Sequence, residues 1–315
     1  MSNLTFSGQV KQEICSRELR NPCCISAACY GVACFGKYFD TRGIVLHTEQ
    51  KFIAQWAKSL FALANIKGQV FVRGGGNNPM YEFAVKDPFE VDKMLAAFGH
   101  TGEEPALRIN LNNFECDSCF SAFVAAAFLC CGTMVSPQKS YNLEFVVGRF
   151  GLAQDLETLL TQKKFMPKRT VRKGINIVYF KSSEQIEDML TYMGATKGAL
   201  EIMNQKVYRD FRNKANRITN CETANIDKTL DAARRFFEDV DVLQKAGMLA
   251  LLEEPLQAAI KVRQQHPEFS LTELAALLEE PVSKSGLSHR YRKIAAKAEA
   301  LRHKQLQPPA KARKD

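Results

Sequence analysis

Several things are missing from this 315-residue chain, and each absence excludes a class of protein. Met1 to Cys15 holds no apolar core of the kind that exports a protein, so the chain is expected to work in the cytoplasm. No stretch reaches the roughly 20 apolar residues that a bilayer demands. The most apolar one, Cys119 to Val135, is rich in alanine and broken by Ser121, Gly132 and Thr133, which is the composition of a buried helix and not of a membrane span. A phosphate loop is absent as well, because Gly74-Gly75-Gly76 is short and precedes a strand where such a loop would separate strand from helix. No catalytic constellation is recognisable, so no catalytic residue and no enzymatic activity are expected. Acidic residues are missing altogether between Leu160 and Lys181, where seven lysines and arginines stand. From Pro281 to Asp315 ten basic residues face two acidic ones, and these two segments account for the whole net charge of +9. Excess charge gathered in two places implies surfaces that meet an anionic partner.

Cysteine is plentiful, with ten residues, but a chain of this length without an export signal has no need of a disulfide framework, and free, mostly buried thiols are expected. Cys116 and Cys119 have the spacing of a metal knuckle, and Cys23 and Cys24 would complete a set of four thiolates. The second pair is adjacent, adjacent cysteines seldom aim at one ion, and no histidine is nearby. The reading adopted from sequence is therefore no metal and no cofactor.

Hydrophobic periodicity gives a helix over residues 25–35, a strand over 44–49 and a helix over 52–65. Strands over 69–73 and 81–85 flank the turn-forming Gly74-Gly75-Gly76-Asn77-Asn78, and Asp87-Pro88 opens a helix to Phe98. About 95 to 100 residues later the order returns: helix 121–131, strand 141–147, helix 152–164, strands 169–173 and 175–181, helix 184–192. Lys93-Met94-Leu95 before Gly99 is answered by Asp188-Met189-Leu190 before Gly194. One αβαββα unit is thus written twice, with room for a further strand near Tyr38 and before Tyr141. Small residues in the opening helices (Ala27, Ala28, Gly31, Ala33; Ala125, Ala126, Ala127) suit close packing between the copies.

Beyond Gly198 the chain reads as helical: a polar helix over 202–219, a break at Asn220 to Asn225, and a helix over 226–244 stopped by Gly247. The domains are accordingly drawn as repeats 1–105 and 106–198, a polar helical linker 199–225, a helical domain 226–306 and a disordered basic tail 307–315.

Residues 255–302 carry the functional signal. Pro255 opens a helix that closes at His266-Pro267, and Ser270 and Glu273 have capping-box spacing before a short helix over 271–278. Pro281 forbids its continuation, and Ser283 caps a long basic helix. Short helix, turn, longer basic helix is a helix-turn-helix pattern. Leu287, Tyr291, Ile294 and Ala298 share the inward face. Ser285, Ser288 and His289 then suit base edges, while Lys284, Arg290, Arg292, Lys293 and Lys297 suit phosphates. Arg169, Arg172 and Lys173 form a second candidate nucleic-acid surface on the repeat, the alternation of the strand placing Arg169 and Lys173 on one face. Lys163 and Lys164 are ordinary helix-end cations.

Arg212-Asn213, Asn216-Arg217, Asn220-Cys221-Glu222-Thr223-Ala224-Asn225, Lys228-Thr229 and Asp231-Ala232-Ala233, followed by Pro281-Val282-Ser283-Lys284-Ser285-Gly286 and His289-Arg290, closely resemble the WhiA family of bacterial regulators. Weaker similarity includes Cys23-Cys24, residues 137–141 and Met193-Gly194-Ala195. The resemblance implies an α+β fold of two LAGLIDADG-like repeats, as in homing endonucleases, followed by an all-α helix-turn-helix domain that binds promoter DNA of sporulation or cell-division genes. In active endonucleases of that fold each opening helix ends in a metal-binding acid. Those slots fall near Gly36 and Cys131 here, so cleavage assisted by a hard cation is not expected. Asp40, Glu115 and Asp117, the nearest acids, are read as turn or surface residues. The partner expected is double-stranded DNA on the nucleoid, with a protein of the transcription machinery as a further possibility, no membrane, and an oligomeric state left open. Two rival functions stand beside it: a working LAGLIDADG-type endonuclease, revealed by nicking of supercoiled DNA, and a scaffold docking on transcription machinery, favoured if DNA binding is undetectable at low salt.

Overall fold

In the computed structural model, residues 4–74 and 79–306 are described, and they divide into two units, 1–210 and 211–315. The turn expected at 74–78 falls mostly outside the described residues, and the expected basic tail 307–315 lies wholly outside them.

The first unit is the duplication that the sequence announces. After α1 (Phe6–Ser16), the first repeat runs α2 (Pro22–Phe35), β1 (Tyr38–Asp40), β2 (Gly43–Thr48), α3 (Lys51–Leu63), β3 (Gln69–Arg73), β4 (Met80–Val85) and α4 (Pro88–Phe98). The second runs α5 (Asp117–Cys131), β5 (Gly132–Met134), β6 (Leu143–Val147), α6 (Phe150–Gln162), β7 (Lys168–Arg172), β8 (Ile175–Phe180) and α7 (Ser183–Met193). Each repeat forms a four-stranded antiparallel sheet, and the strand orders, β1-β2-β4-β3 and β5-β6-β8-β7, are the same. The extra strand foreseen in each copy is the short one following its opening helix. The helix α1 was not foreseen, although Thr5 caps it by accepting the Gly8 N–H at 3.2 Å and Val10 and Ile14 bury one helical face.

Apolar positions alternate along the strands, so each sheet turns one face to its helices and one outward. Leu143, Phe145 and Val147 on β6 and Val178 and Phe180 on β8 are buried, as are Ile44, Leu46, Phe83 and Val85 in the first sheet. Between the sheets' inner faces lie α2 and α5, buried along nearly their whole length and packed on each other. Their contact is close because small residues line it. A Cβ added at Gly31 would stand 2.6 Å from the Phe123 carbonyl oxygen and 2.9 Å from the Ala126 Cβ, so only glycine fits.

The helix α8 runs unbroken from Thr196 to Lys245, which corrects the break expected at Asn220 to Asn225. The reason is local. Between Ala199 and Ala246 there is neither glycine nor proline, and asparagine or threonine lowers helix stability by only about 0.7 kcal/mol per residue. The second unit further contains α9 (Glu254–Gln265), α10 (Leu271–Ala276) and α11 (Lys284–Leu306). Among the described residues, no helix is long and apolar enough to cross a membrane.

Candidate nucleic-acid interface

Three helices hold the basic face in place. Ala259 on α9, Leu274, Ala275 and Leu278 on and after α10, and Leu287 on α11 form one small core, with Tyr291 and Val282 packed against it. Ile294 and Ala298, further along α11, join a second core with Phe236, Val240, Leu243, Leu256 and Ile260. The inward face foreseen for α11 is therefore the observed one: Leu287, Ile294 and Ala298 are buried and Tyr291 is half-buried. Arg263, itself buried, ties the pieces by donating to the carbonyls of Phe269 and, at 3.3 Å, Thr229.

The capping box forms as its spacing requires. The Glu273 N–H donates to Ser270 Oγ at 3.4 Å, and the Ser270 N–H to the Glu273 carboxylate at 2.8 Å; the Ser270 hydroxyl first, and then its N–H, hold that carboxyl below its ordinary pKa. The helix α10 stops at Ala276, two residues earlier than expected, and the turn is correspondingly longer. Pro281 cannot continue a helix, Leu278 turns into the core, and the Val282 N–H closes the turn on the Ala275 carbonyl at 3.2 Å. Ser283 then caps α11, its Oγ accepting the Gly286 N–H at 3.1 Å and lying 2.8 Å from Ser285 Oγ.

On the outward face of α11, Lys284, Ser285, His289, Arg292, Lys293 and Lys297 are exposed, and Ser288 and Arg290 are half-buried. Among the described residues, Lys284, Arg292 and Lys297 make no ion pair. Lys293 faces Glu253 at 3.8 Å across open solvent, and the Arg290 guanidinium approaches the Pro255 carbonyl at 3.5 Å. An exposed pair of that length contributes little and yields readily to a phosphate. A shallow open groove runs between the start of α9 and the start of α11, lined by Pro255, Ser285, His289, Arg290 and Arg292, with Glu253 at its edge. Glu253 was not singled out from sequence, and Pro255 was read there only as the opening of a helix.

The three cations expected to share a surface on the second repeat are separated. Arg169 lies opposite Val178 on the helix-facing side of the sheet, where it pairs with Glu157 of α6 at 2.6 Å and stacks over Phe150 at 5.1 Å. Lys173 is not on the strand. It occupies, with Gly174, the turn between β7 and β8, at φ values of 50° and 79°, and both positive values belong to a two-residue hairpin turn. Arg172 lies on the outward face, 63% exposed and 3.5 Å from Glu144. Period-two counting put Arg169 and Lys173 together; the strand's end at Arg172 undoes it.

The C-terminal ends of α2 and α5 meet at a pocket of about 90 Å³ lined by Gly36, Lys37, Cys131, Val147 and Arg149. No carboxylate is among its lining residues. Arg149 donates to the Cys34 carbonyl at 3.2 Å, and burial lowers its pKa. Asp40 is gripped by the Arg42 guanidinium at 2.7 Å, chiefly for which reason its pKa is lowered, while Glu115 and Asp117 are exposed beside the opposite end of α5. At that opposite end the structure does bring Cys23, Cys24, Cys116 and Cys119 together, all four sulfurs within 4.8 Å of one another. Hydrogen bonds from the Cys119 and Cys24 thiols, the Ser118 N–H and the Cys23 thiol bring Cys116 down to about 7.

Two LAGLIDADG-like repeats with an acid-free pocket where their opening helices end, followed by a capped helix-turn-helix, define the class of this protein. The family model described as the WhiA LAGLIDADG-like domain matches residues 120–212, and the one described as the WhiA C-terminal HTH domain matches 215–298. A "Probable cell division protein WhiA" of Caldicellulosiruptor saccharolyticus is 32% identical over 315 residues, covering 95% of this chain and 96% of its own. One of Clostridium perfringens strain 13 is 33% identical, at 95% and 99% coverage. The crystal structure of full-length WhiA from Thermotoga maritima shares the fold, with a TM-score of 0.59 at 20% identity over 94% of this chain and 99% of that one. The chain belongs to the WhiA family.

Proposed function

We propose that this protein is a sequence-specific regulator of transcription that binds double-stranded DNA through α11 and does not cut it. The observation that carries the reading is the outward face of α11, where Lys284, Arg292 and Lys297 stand exposed without ion-pair partners among the described residues, on a helix fixed from behind by two cores. Lys284, Arg290, Arg292, Lys293 and Lys297 would lie along phosphates, and Ser283, Ser285, Ser288 and His289, near the start of the helix, would meet base edges. Arg172 and Lys173 belong to the same proposal as phosphate contacts of the first unit. Arg169 is withdrawn from it, since its guanidinium already serves Glu157 and Phe150. The relatives' name and the family resemblance support a role in cell division or sporulation, carried out in the cytoplasm on the nucleoid.

The test is charge reversal. Changing Arg290, Arg292 and Lys293 together to glutamate should lower affinity for duplex DNA on the order of a hundredfold or more while leaving circular dichroism unchanged. Wild-type affinity in that variant would refute the assignment. Absence of cleavage rests on the acid-free pocket at Gly36 and Cys131, because a hard divalent cation needs oxygen ligands. Supercoiled plasmid incubated with protein and Mg²⁺ or Mn²⁺ should stay intact; nicking abolished by replacing Asp40 or Asp117 would overturn this.

A further inference from the structure

Four cysteines from two distant parts of the chain meet at one point, and DNA binding uses none of them. Cys23 and Cys24 stand in the first turn of α2, directly after Pro22; Cys116 is the N-cap of α5 and Cys119 is in its first turn. The Cys116 sulfur lies 3.6 Å from that of Cys23, 3.5 Å from that of Cys24 and 3.5 Å from that of Cys119. These are not disulfides, whose sulfurs are about 2.05 Å apart. They are close to the edges of a tetrahedron: four sulfurs each about 2.3 Å from a central zinc ion stand about 3.8 Å from one another.

We propose that Cys23, Cys24, Cys116 and Cys119 bind one zinc ion as thiolates, and that this ion fastens the two repeats together at the N-terminal ends of α2 and α5. The objection that adjacent cysteines diverge does not hold at this place. Side chains on a helix lean toward its N-terminus, so two neighbours in the first turn both reach past the helix end and can converge on one point beyond it. The surroundings suit the charge. Four thiolates around Zn²⁺ carry a net charge of −2, and the positive ends of two helix dipoles lie against them. The Cys116 N–H also points at Cys119 Sγ, 3.5 Å away, the kind of hydrogen bond that steadies a metal-bound sulfur. Soft sulfur ligands select zinc over magnesium or calcium, and a single tetrahedral ion fits the short distances, whereas a cubane iron–sulfur cluster holds its four thiolates on separate irons and requires a wider ring.

Burial divides the set. Cys24 and Cys119 are 4% and 0% exposed, while Cys23 and Cys116 are half-buried and leave a way in for the ion. Binding converts four thiols to four thiolates and releases their protons to solvent, with no change of oxidation state. All four positions are taken by protein, so the ion is structural and has no place for a reacting water.

Elemental analysis of the full-length chain, purified with reductant and dialysed, should find about one zinc per molecule, and less than about a tenth of that in Cys116→Ser or Cys119→Ser. Cys221→Ser, an exposed thiol on α8, should keep the full amount. Refolding with Co²⁺ should give thiolate-to-cobalt charge-transfer and tetrahedral d–d absorption in the wild type and lose both in Cys23→Ser. Should the variants fail to fold, the wild type alone decides. A reduced, folded wild-type chain that retains no zinc and shows no tetrathiolate cobalt spectrum overturns the site, as does a disulfide among these four residues after reducing purification; iron in place of zinc overturns the metal assignment.

Discussion

At the scale of single residues, the most constrained charge is Glu82 on the outward face of the first sheet. Its side chain is only 6% exposed, and Arg73 at 3.0 Å, Lys86 at 2.8 Å and His47 at 3.3 Å surround it. The Arg73 guanidinium above all holds the Glu82 carboxyl down to about 2, from an ordinary 4.5. A depressed carboxylate stabilises the fold fully above its unfolded pKa, and that contribution is lost as pH falls from about 4.5 through about 2. Glu82→Gln should therefore lower stability by about 1 to 2 kcal/mol at pH 7, with the gap to wild type closing as pH falls from about 5 to about 2 in urea titrations. A gap that does not change with pH would remove the carboxylate from the account. Gly31 makes a second test. Alanine there gains about 1 kcal/mol of helix propensity but collides with the Phe123 carbonyl, so Gly31→Ala should show a net loss of about 1 to 3 kcal/mol in thermal or urea unfolding. At this scale the sequence is legible only in part. The acid-free slots at Gly36 and Cys131 could be named from the family resemblance, but Arg149, which lines the pocket between them, stands at the N-cap of α6 and carries no periodic signal. Arg169 was misplaced because period-two counting cannot see Glu157, twelve residues away on a helix.

At the scale of elements, caps decide where helices begin. Glu13 on α1 accepts the backbone N–H groups of Lys197 at 2.7 Å and Gly198 at 3.0 Å, so a side chain remote in sequence caps α8. Glu13→Ala should cost about 1 kcal/mol, read as a lower melting temperature with unchanged helix content. Ser283→Ala, which removes the cap on α11, should cost a similar amount, about 1 kcal/mol, and fray the turn that presents Ser285 to DNA. Amide hydrogen exchange at Lys284 to Gly286 faster than in wild type would register it; unchanged exchange would show that Oγ is not the acceptor that matters. Elements were the most legible level. Regular apolar spacing, Ser270 with Glu273, and Pro281 placed α9, α10 and the start of α11 within two residues, because those signals are local, whereas α11 runs to Leu306, five residues past the expected end near Leu301. The long helix was misread for the converse reason: asparagine weakens a helix without ending it, and only glycine or proline would have ended α8.

At the scale of the whole molecule, the repeat was readable because both copies solve one packing problem, a sheet whose inner face needs a helix pair to cover it. The meeting of Cys23 and Cys24 with Cys116 and Cys119 was not readable, since it depends on the two opening helices lying side by side with their ends level. The central claim concerns charge on α11, and the salt dependence of binding reports charge most directly. Log affinity for duplex DNA plotted against log salt concentration should fall with a slope near about −5 if six phosphates are neutralised, and Lys297→Gln should make that slope shallower by about 1. No measurable binding at about 50 mM salt, or a slope unaffected by removing cations from α11, would contradict the account.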